Sequence, residues 1–215
     1  MRLLPFVRAA GLALAAVLIV GCGSDSSSAD RATGPGVYQG PDRICADQDV
    51  AMFDGLFGAL REPAEDHVGY PGENEGHDYR ECSARFGQGS SSSASLFVQV
   101  WVYGTIEEAR ASYQESRASA SGPPAVGTVR PTEIQSVRHI GDAAVRYREY
   151  EGSDEVSTCV VTRSSNLLLS ACLRDSTGGP GPGARGPRQL ELVAQAVDTY
   201  AAGELKTLAG TAARH

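Results

Sequence analysis

Glu155-Val-Ser-Thr-Cys-Val-Val-Thr-Arg163 and Leu167-Leu-Leu-Ser-Ala-Cys-Leu173 are two runs of strand-forming residues, with Ser164-Ser165-Asn166 between them. Valine and threonine suit a pleated, half-buried surface. Ser165-Asn166 suits a two-residue hairpin turn, because asparagine tolerates the positive φ that such turns demand. If those two residues are the turn, Ser164 faces Leu167, and counting outward sets Cys159 directly opposite Cys172. The pair falls at a non-hydrogen-bonded position, where Cα atoms come closest, and a disulfide bridges that spacing. A three- or four-residue loop would shift the register. The stretch therefore predicts an antiparallel hairpin carrying its own disulfide.

Upstream, Glu133 to Val137 and Ala143 to Tyr150 read as two further short strands. Leu96-Phe-Val-Gln-Val-Trp-Val-Tyr103 is the strongest strand signal, with Val98, Val100 and Val102 on one face and Phe97, Trp101 and Tyr103 on the other. A strand apolar on both faces wants cover on both, so those aromatics are expected in a core beneath a helix. Tyr79 to Phe86 is another strand, and Gly87 to Ser95 reads as a Ser/Gly turn. Thr105-Ile-Glu-Glu108 is a capping box opening a helix to about Ala118, with Ile106, Ala109 and Tyr113 inward. Ala46 to Leu60 predicts a helix on the spacing of Val50, Phe53, Phe57 and Leu60, which Gly55 and Gly58 weaken. Gly178 to Pro187 is too rich in glycine and proline for helix or strand. A last helix is expected from about Gln189 to Leu208, with Leu190, Val193, Val197, Tyr200 and Ala201 as its apolar stripe. The order is helix, two strands, helix, four strands, helix. Antiparallel runs broken by helices argue an α+β fold.

The chain has 215 residues, enough for one domain, with 41% hydrophobic and 21% charged residues, a globular composition. Its net charge of −7 excludes a dominant nucleic-acid role. At the N-terminus, Arg2 and Arg8 form a short basic region ahead of a twelve-residue uncharged run, Ala9 to Val20. That length fits the core of a signal peptide; a bilayer span needs about 20 residues. Ile19-Val20-Gly21-Cys22 resembles a bacterial lipobox, whose cysteine thiol accepts a diacylglyceryl group and becomes the first mature residue. Residues 1–21 are thus expected to be a lipoprotein signal peptide. Maturation leaves 17 basic against 26 acidic residues, a net charge of −9. Such a body is repelled by anionic lipid, so the lipid on Cys22 must do the anchoring. Residues 22–43, rich in serine and glycine, read as the lipidated cysteine and a disordered tether, holding residues 44–208 roughly 25 Å from the anchor. Residues 209–215 read as a tail.

With Cys22 acylated, four cysteines remain, and outside the cytoplasm disulfides persist. Of the three possible pairings, the hairpin count with a two-residue turn selects Cys159–Cys172, and with it Cys45–Cys82, which joins the domain's start to a strand. No C-x-x-C favours a zinc site. Glu62, Glu65, Asp66, Glu73, Glu75, Asp78 and Glu81 cluster with His67 and His77, but their spacing fits no EF-hand or zincin, and the stretch reads as a solvated acidic loop. No metal site and no cofactor are expected. No G-x-S-x-G, H-E-x-x-H, P-loop or G-x-G-x-x-G occurs, and the four histidines are scattered, so no catalytic residues are assigned and the protein is not expected to be an enzyme.

The lipobox, the tether, Ile44-Cys45, Tyr79-Arg-Glu-Cys82, Ile140-Gly-Asp-Ala-Ala-Val145 and Arg163-Ser-Ser-Asn-Leu-Leu-Leu169 together resemble the small actinobacterial lipoproteins built on a domain of unknown function. The element order is also similar to the PsbP-like sandwich among mycobacterial lipoproteins. That resemblance implies an antiparallel sheet with helices on both sides, an α/β/α sandwich, and offers no catalytic residues. The expected function is that of an envelope lipoprotein on the extracytoplasmic face of the cell membrane, binding an envelope protein or wall component without catalysis. The alternative is a lipid or glycolipid carrier, which requires a large apolar cavity; the Leu96–Tyr103 strand would line it.

Overall fold

The computed structural model describes residues 37–38, 40, 44, 50–61, 65–68, 78–88, 91–121, 132–151, 155–176 and 185–212. Cys22, Cys45, the signal-peptide stretch and most of the expected tether lie outside them. Seven strands form one antiparallel sheet: β1 (Glu65–Val68), β2 (Asp78–Gln88), β3 (Ser91–Val102), β4 (Thr132–Val137), β5 (Ala143–Glu151), β6 (Glu155–Ser164) and β7 (Leu167–Asp175). Three helices accompany them: α1 (Asp54–Phe57), α2 (Ile106–Ser121) and α3 (Pro187–Ala212). The spatial order is β1-β2-β3-β7-β6-β5-β4. The chain runs as a meander through β1 to β3, crosses by α2 to the far edge, and returns strand by strand until β7 lies beside β3.

The turn of the β6–β7 hairpin is Ser165-Asn166, and the register sets Ser164 against Leu167 and Cys159 against Cys172. The two cysteines are disulfide-bonded, with Cα atoms 4.1 Å apart. The residue with positive φ is Ser165 (φ 54°), not the asparagine expected from its tolerance. Asn166 is instead buried. Its side-chain amide accepts from the Tyr38 N–H (2.8 Å) and donates to the carbonyls of Tyr38 (3.1 Å) and Tyr103 (2.9 Å). Tyr38, assigned to the tether by composition, is therefore part of the fold, where it is buried.

The Ile140-Gly-Asp-Ala-Ala stretch docks against this hairpin. Asp142 accepts from the Ser165 N–H (2.8 Å) and pairs with Arg163 (3.0 Å), and its own N–H donates to the Arg163 carbonyl (2.8 Å). Gly141 has φ +58°, and a Cβ there would stand 2.4 Å from the Arg163 carbonyl oxygen, so glycine is required on both counts.

Several boundaries differ from the sequence reading. Of the helix expected over 46–60, the described residues from 50 on form a 3-10 turn, Ala51–Phe53, followed by the single turn of α1. Gly58, at φ 88°, ends it, and Leu60 instead bridges to Phe86. Part of the supposed acidic loop is β1, paired with β2. The supposed turn over 87–95 begins β3 at Ser91, because β2 on one side, and β7 from Ala94 on, supply backbone partners that override serine's weak strand preference. Pro187, placed in the loop, opens α3, as proline can where no helical N–H is needed. α3 continues to Ala212, past the expected boundary at residue 208. The capping box forms as read: the Glu108 N–H donates to Thr105 Oγ1 (3.2 Å), and the Thr105 N–H to Glu108 Oε2 (2.9 Å).

The helices lie on opposite faces of the sheet. On one, Leu96, Val98, Val100, Leu169 and Leu173 are fully buried beneath Val193, Val197, Tyr200 and Ala201 of α3. Phe53 closes this layer, its ring 5.5 Å from Phe86 and 5.7 Å from Tyr200. Arg185 fastens its edge: it pairs with buried Asp175, donates to the Leu56 carbonyl (3.3 Å) and lies 4.6 Å over the Phe57 ring. On the other face, α2 buries Ala109 and Tyr113 against Val145, Val161, Leu168 and Tyr103.

Candidate functional site

α2 covers one end of its sheet face and leaves the other open. Strand register sorts this face into rows. Trp101 and Leu168 stand side by side under α2, as do Val161 and Val145. Next to Val161 the row turns polar through Ser170, Gln99 and Glu81. The following row is Phe97, Cys172, Cys159 and Tyr147, and the one beyond it Arg174, Ser157 and Glu149. A pocket of about 320 Å³ lies over this polar end, with the disulfide and Phe97 in its floor. The expectation that Phe97, Trp101 and Tyr103 would all be core is corrected here. Tyr103 is buried and Trp101 packs partly against the α2 cluster, but Phe97 is 40% exposed because α2 does not reach it.

One wall is a fixed carboxylate. Tyr79 Oη donates to Glu81 Oε2 (2.6 Å), and Gln99 Nε2 donates both to Tyr79 Oη (2.9 Å) and to Glu81 Oε2 (2.9 Å). The Tyr79 ring leans on Trp101, centroids 5.3 Å apart. These neutral donors orient Glu81 without cancelling its charge. At the other end, Arg174 donates to Glu155 from Nε (3.1 Å) and Nη2 (2.8 Å), and also pairs with Glu151. Glu149 is half-buried beside them and has no cationic partner among the described residues. Burial pushes its carboxyl above the ordinary range, and the neighbouring Glu151 adds to the shift. Burial, with Glu149 adding to it, pushes the Tyr147 phenol up to about 12, so this residue stays neutral.

The lining thus offers two carboxylates, hydrogen-bonding amide and hydroxyl groups, one guanidinium and an exposed ring, which are means of recognition. Of the cysteines singled out from sequence, Cys159 and Cys172 stand together in this floor. Cys82 is disulfide-bonded and buried on the opposite face, and its expected partner Cys45 lies outside the described residues. His67 is on β1, with its side chain outside the described set, and His77 is outside it altogether. Among the described residues no group of three or more His, Cys, Asp or Glu could hold a metal ion, and no helix is long and apolar enough to cross a membrane. Gln99 was the legible sign of the groove: a polar residue between Phe97 and Trp101 marks a face that is not covered throughout.

The architecture has a solved counterpart. The extracellular domain of PknH from Mycobacterium tuberculosis superposes with a TM-score of 0.52 at 9% sequence identity, over 81% of this chain and 100% of that one. What the two share is the fold. An uncharacterized protein from Mycobacterium smegmatis, the Rv0999 ortholog, aligns over 66% of this chain and 79% of its own at 11% identity, with a TM-score of 0.29. No protein-family model and no curated protein matches the sequence.

Proposed function

We propose that the chain is an extracytoplasmic, lipid-anchored binding protein of the PsbP-like sandwich type, which takes its ligand on the open half of the α2 face. The observation that carries this is the incomplete cover of that face. A sheet that buries one side beneath α3 and leaves half of the other open, with an exposed aromatic ring in a preformed pocket, has a surface that no described element covers. The anchor reading rests on Arg2, Arg8, the apolar run and Cys22. Two further features support an extracytoplasmic place: a disulfide of the kind that persists outside the reducing cytoplasm, and a fold shared with a domain described as extracellular. The packed rings of Phe53, Phe86 and Tyr200 between sheet and α3 fill the layer that a lipid carrier would need open.

Two experiments test the proposal. A photo-crosslinking residue at position 97, in cells making the full chain, should yield a specific adduct, while the same residue at exposed Leu192 on α3 should not. Equal labelling at the two positions, or none at 97, would refute the binding face. For the anchor, Cys22→Ala should move the protein from the detergent phase to the aqueous phase; unchanged partitioning would refute lipidation.

A further inference from the structure

The open groove combines carboxylates that have no cationic partner among the described side chains with an apolar middle. We infer that it binds a small linear aliphatic polyamine, with ammonium groups at both ends and methylene segments between; this rests on the groove being the binding site proposed above. Glu81 on β2 and Glu149 on β5 stand four strand spacings apart, roughly 19 Å across the sheet, and are offset by two same-face rows along it. Glu81 is held by Tyr79 and Gln99, neither of which neutralises it. Glu149 faces Glu151 and lacks a cation among the described residues. Arg174, the one basic side chain lining the pocket, has its charge met by Glu151 and Glu155. Arg85 occupies the same row on β2 but does not line the pocket. The lining therefore carries two carboxylates, Glu81 and Glu149, against one guanidinium whose charge is already met outside the pocket.

Between the two carboxylates lies Phe97, its ring available to an aliphatic chain or, face on, to an ammonium group. Size selects the class of ligand. A volume of about 320 Å³ is at the lower end for small-molecule sites, whereas a protein partner needs about 800 Å² of surface on each side. A second copy would bring the same net negative charge and be repelled.

The test uses the full chain in a neutral detergent, with spermine as the probe. Trp101 is the sole tryptophan and touches the Tyr79–Glu81–Gln99 cluster, so its fluorescence reports on the groove. Spermine should change that fluorescence saturably. Glu81→Gln and Glu149→Gln should each weaken binding about tenfold while leaving the circular dichroism spectrum intact, and octylamine, with one charge, should bind more weakly. Absence of saturable binding by both fluorescence and calorimetry, or unchanged affinity in the two glutamine variants, would overturn the inference. Binding of suberate, a neutral sugar or octalysine in place of spermine would also overturn it, while leaving the groove a binding site. Failure of every probe, together with no adduct at position 97, would remove both readings.

Discussion

The two faces of the sheet are built from the same strands yet solve different problems. The α3 face alternates leucine, valine and alanine along β3 and β7, and a 26-residue helix covers it. The α2 face has the same strands' other residues, and there the apolar pattern holds only beneath α2. Past Trp101 and Leu168 it gives way to Gln99, Ser170, Ser157 and Arg174. In place of a helix, that end has a disulfide joining adjacent strands and a hydrogen-bonded carboxylate. One face is a core; the other is half core and half surface, and the surface half is where the charges lie.

The largest expected difference between the faces is in packing. Leu169→Ala, at a fully buried site on the α3 face, should cost about 2–5 kcal/mol in transfer and cavity terms. Chemical denaturation with an unchanged slope would show it. A cost below about 1 kcal/mol would mean that this layer collapses easily and that the contrast between faces is overstated. The next effect lies on the open face. Replacing Cys159 and Cys172 together by serine removes a bridge of sequence separation 13, and loop entropy sets the loss at about 3 kcal/mol. A much smaller loss, seen in thermal melts, would show that the hairpin's hydrogen bonds alone hold the groove floor in register. Thr105→Ala removes the side-chain half of the α2 capping box and should cost about 1 kcal/mol.

Much of this contrast can be read from the sequence, and what cannot has definite causes. The hairpin register is legible because a two-residue turn and two cysteines leave one consistent count. The α2 start is legible because Thr105 and Glu108 signal it locally. β1 and the N-terminal part of β3 are not legible, since Glu65-Asp-His-Val68 and Ser91-Ser-Ser carry little strand preference; their pairing comes from neighbours distant in sequence. The role of Asn166 is hidden for the same reason, as its partner Tyr38 lies 128 residues away. The groove was half legible. Alternation assigns Phe97 to the face of Trp101 and Tyr103, but only the length and placement of α2 decide that Phe97 is left uncovered. That Glu81 and Glu149 line one pocket follows from the order β2-β3-β7-β6-β5, which local patterns do not specify.

Phe97→Ala sharpens the comparison from the other side. On the α3 face a lost aromatic ring would be severe. Here the ring is 40% exposed, and its removal should shift stability by no more than about 0.5 kcal/mol. If melting shows a loss like that of Leu169→Ala, Phe97 is core after all and the groove reading fails.

The smallest effect is the most diagnostic. Glu149 has its carboxyl raised above the ordinary value of 4.5, by burial first and by Glu151 second. Its sign is opposite to that of a salt-bridged carboxylate. The folded state holds the Glu149 proton more tightly than the unfolded chain does, so this group's contribution falls as pH rises from about 4.5 through the raised value, and remains a fixed penalty above it. Asp198 is also raised, by burial against the opposing pull of Arg146, so the slope of the wild type alone does not isolate Glu149. The difference between wild type and Glu149→Gln does. The variant should match the wild type at pH 4 and melt slightly higher at pH 7, and spermine at pH 7 should stabilise the wild type more than the variant. A variant that melts lower than the wild type at pH 7 would mean that Glu149 already has a cation partner in the folded chain. A gain in stability joined to a loss of binding would show a carboxylate kept where folding alone disfavours it, which is how a binding site, and not a core, places its charge.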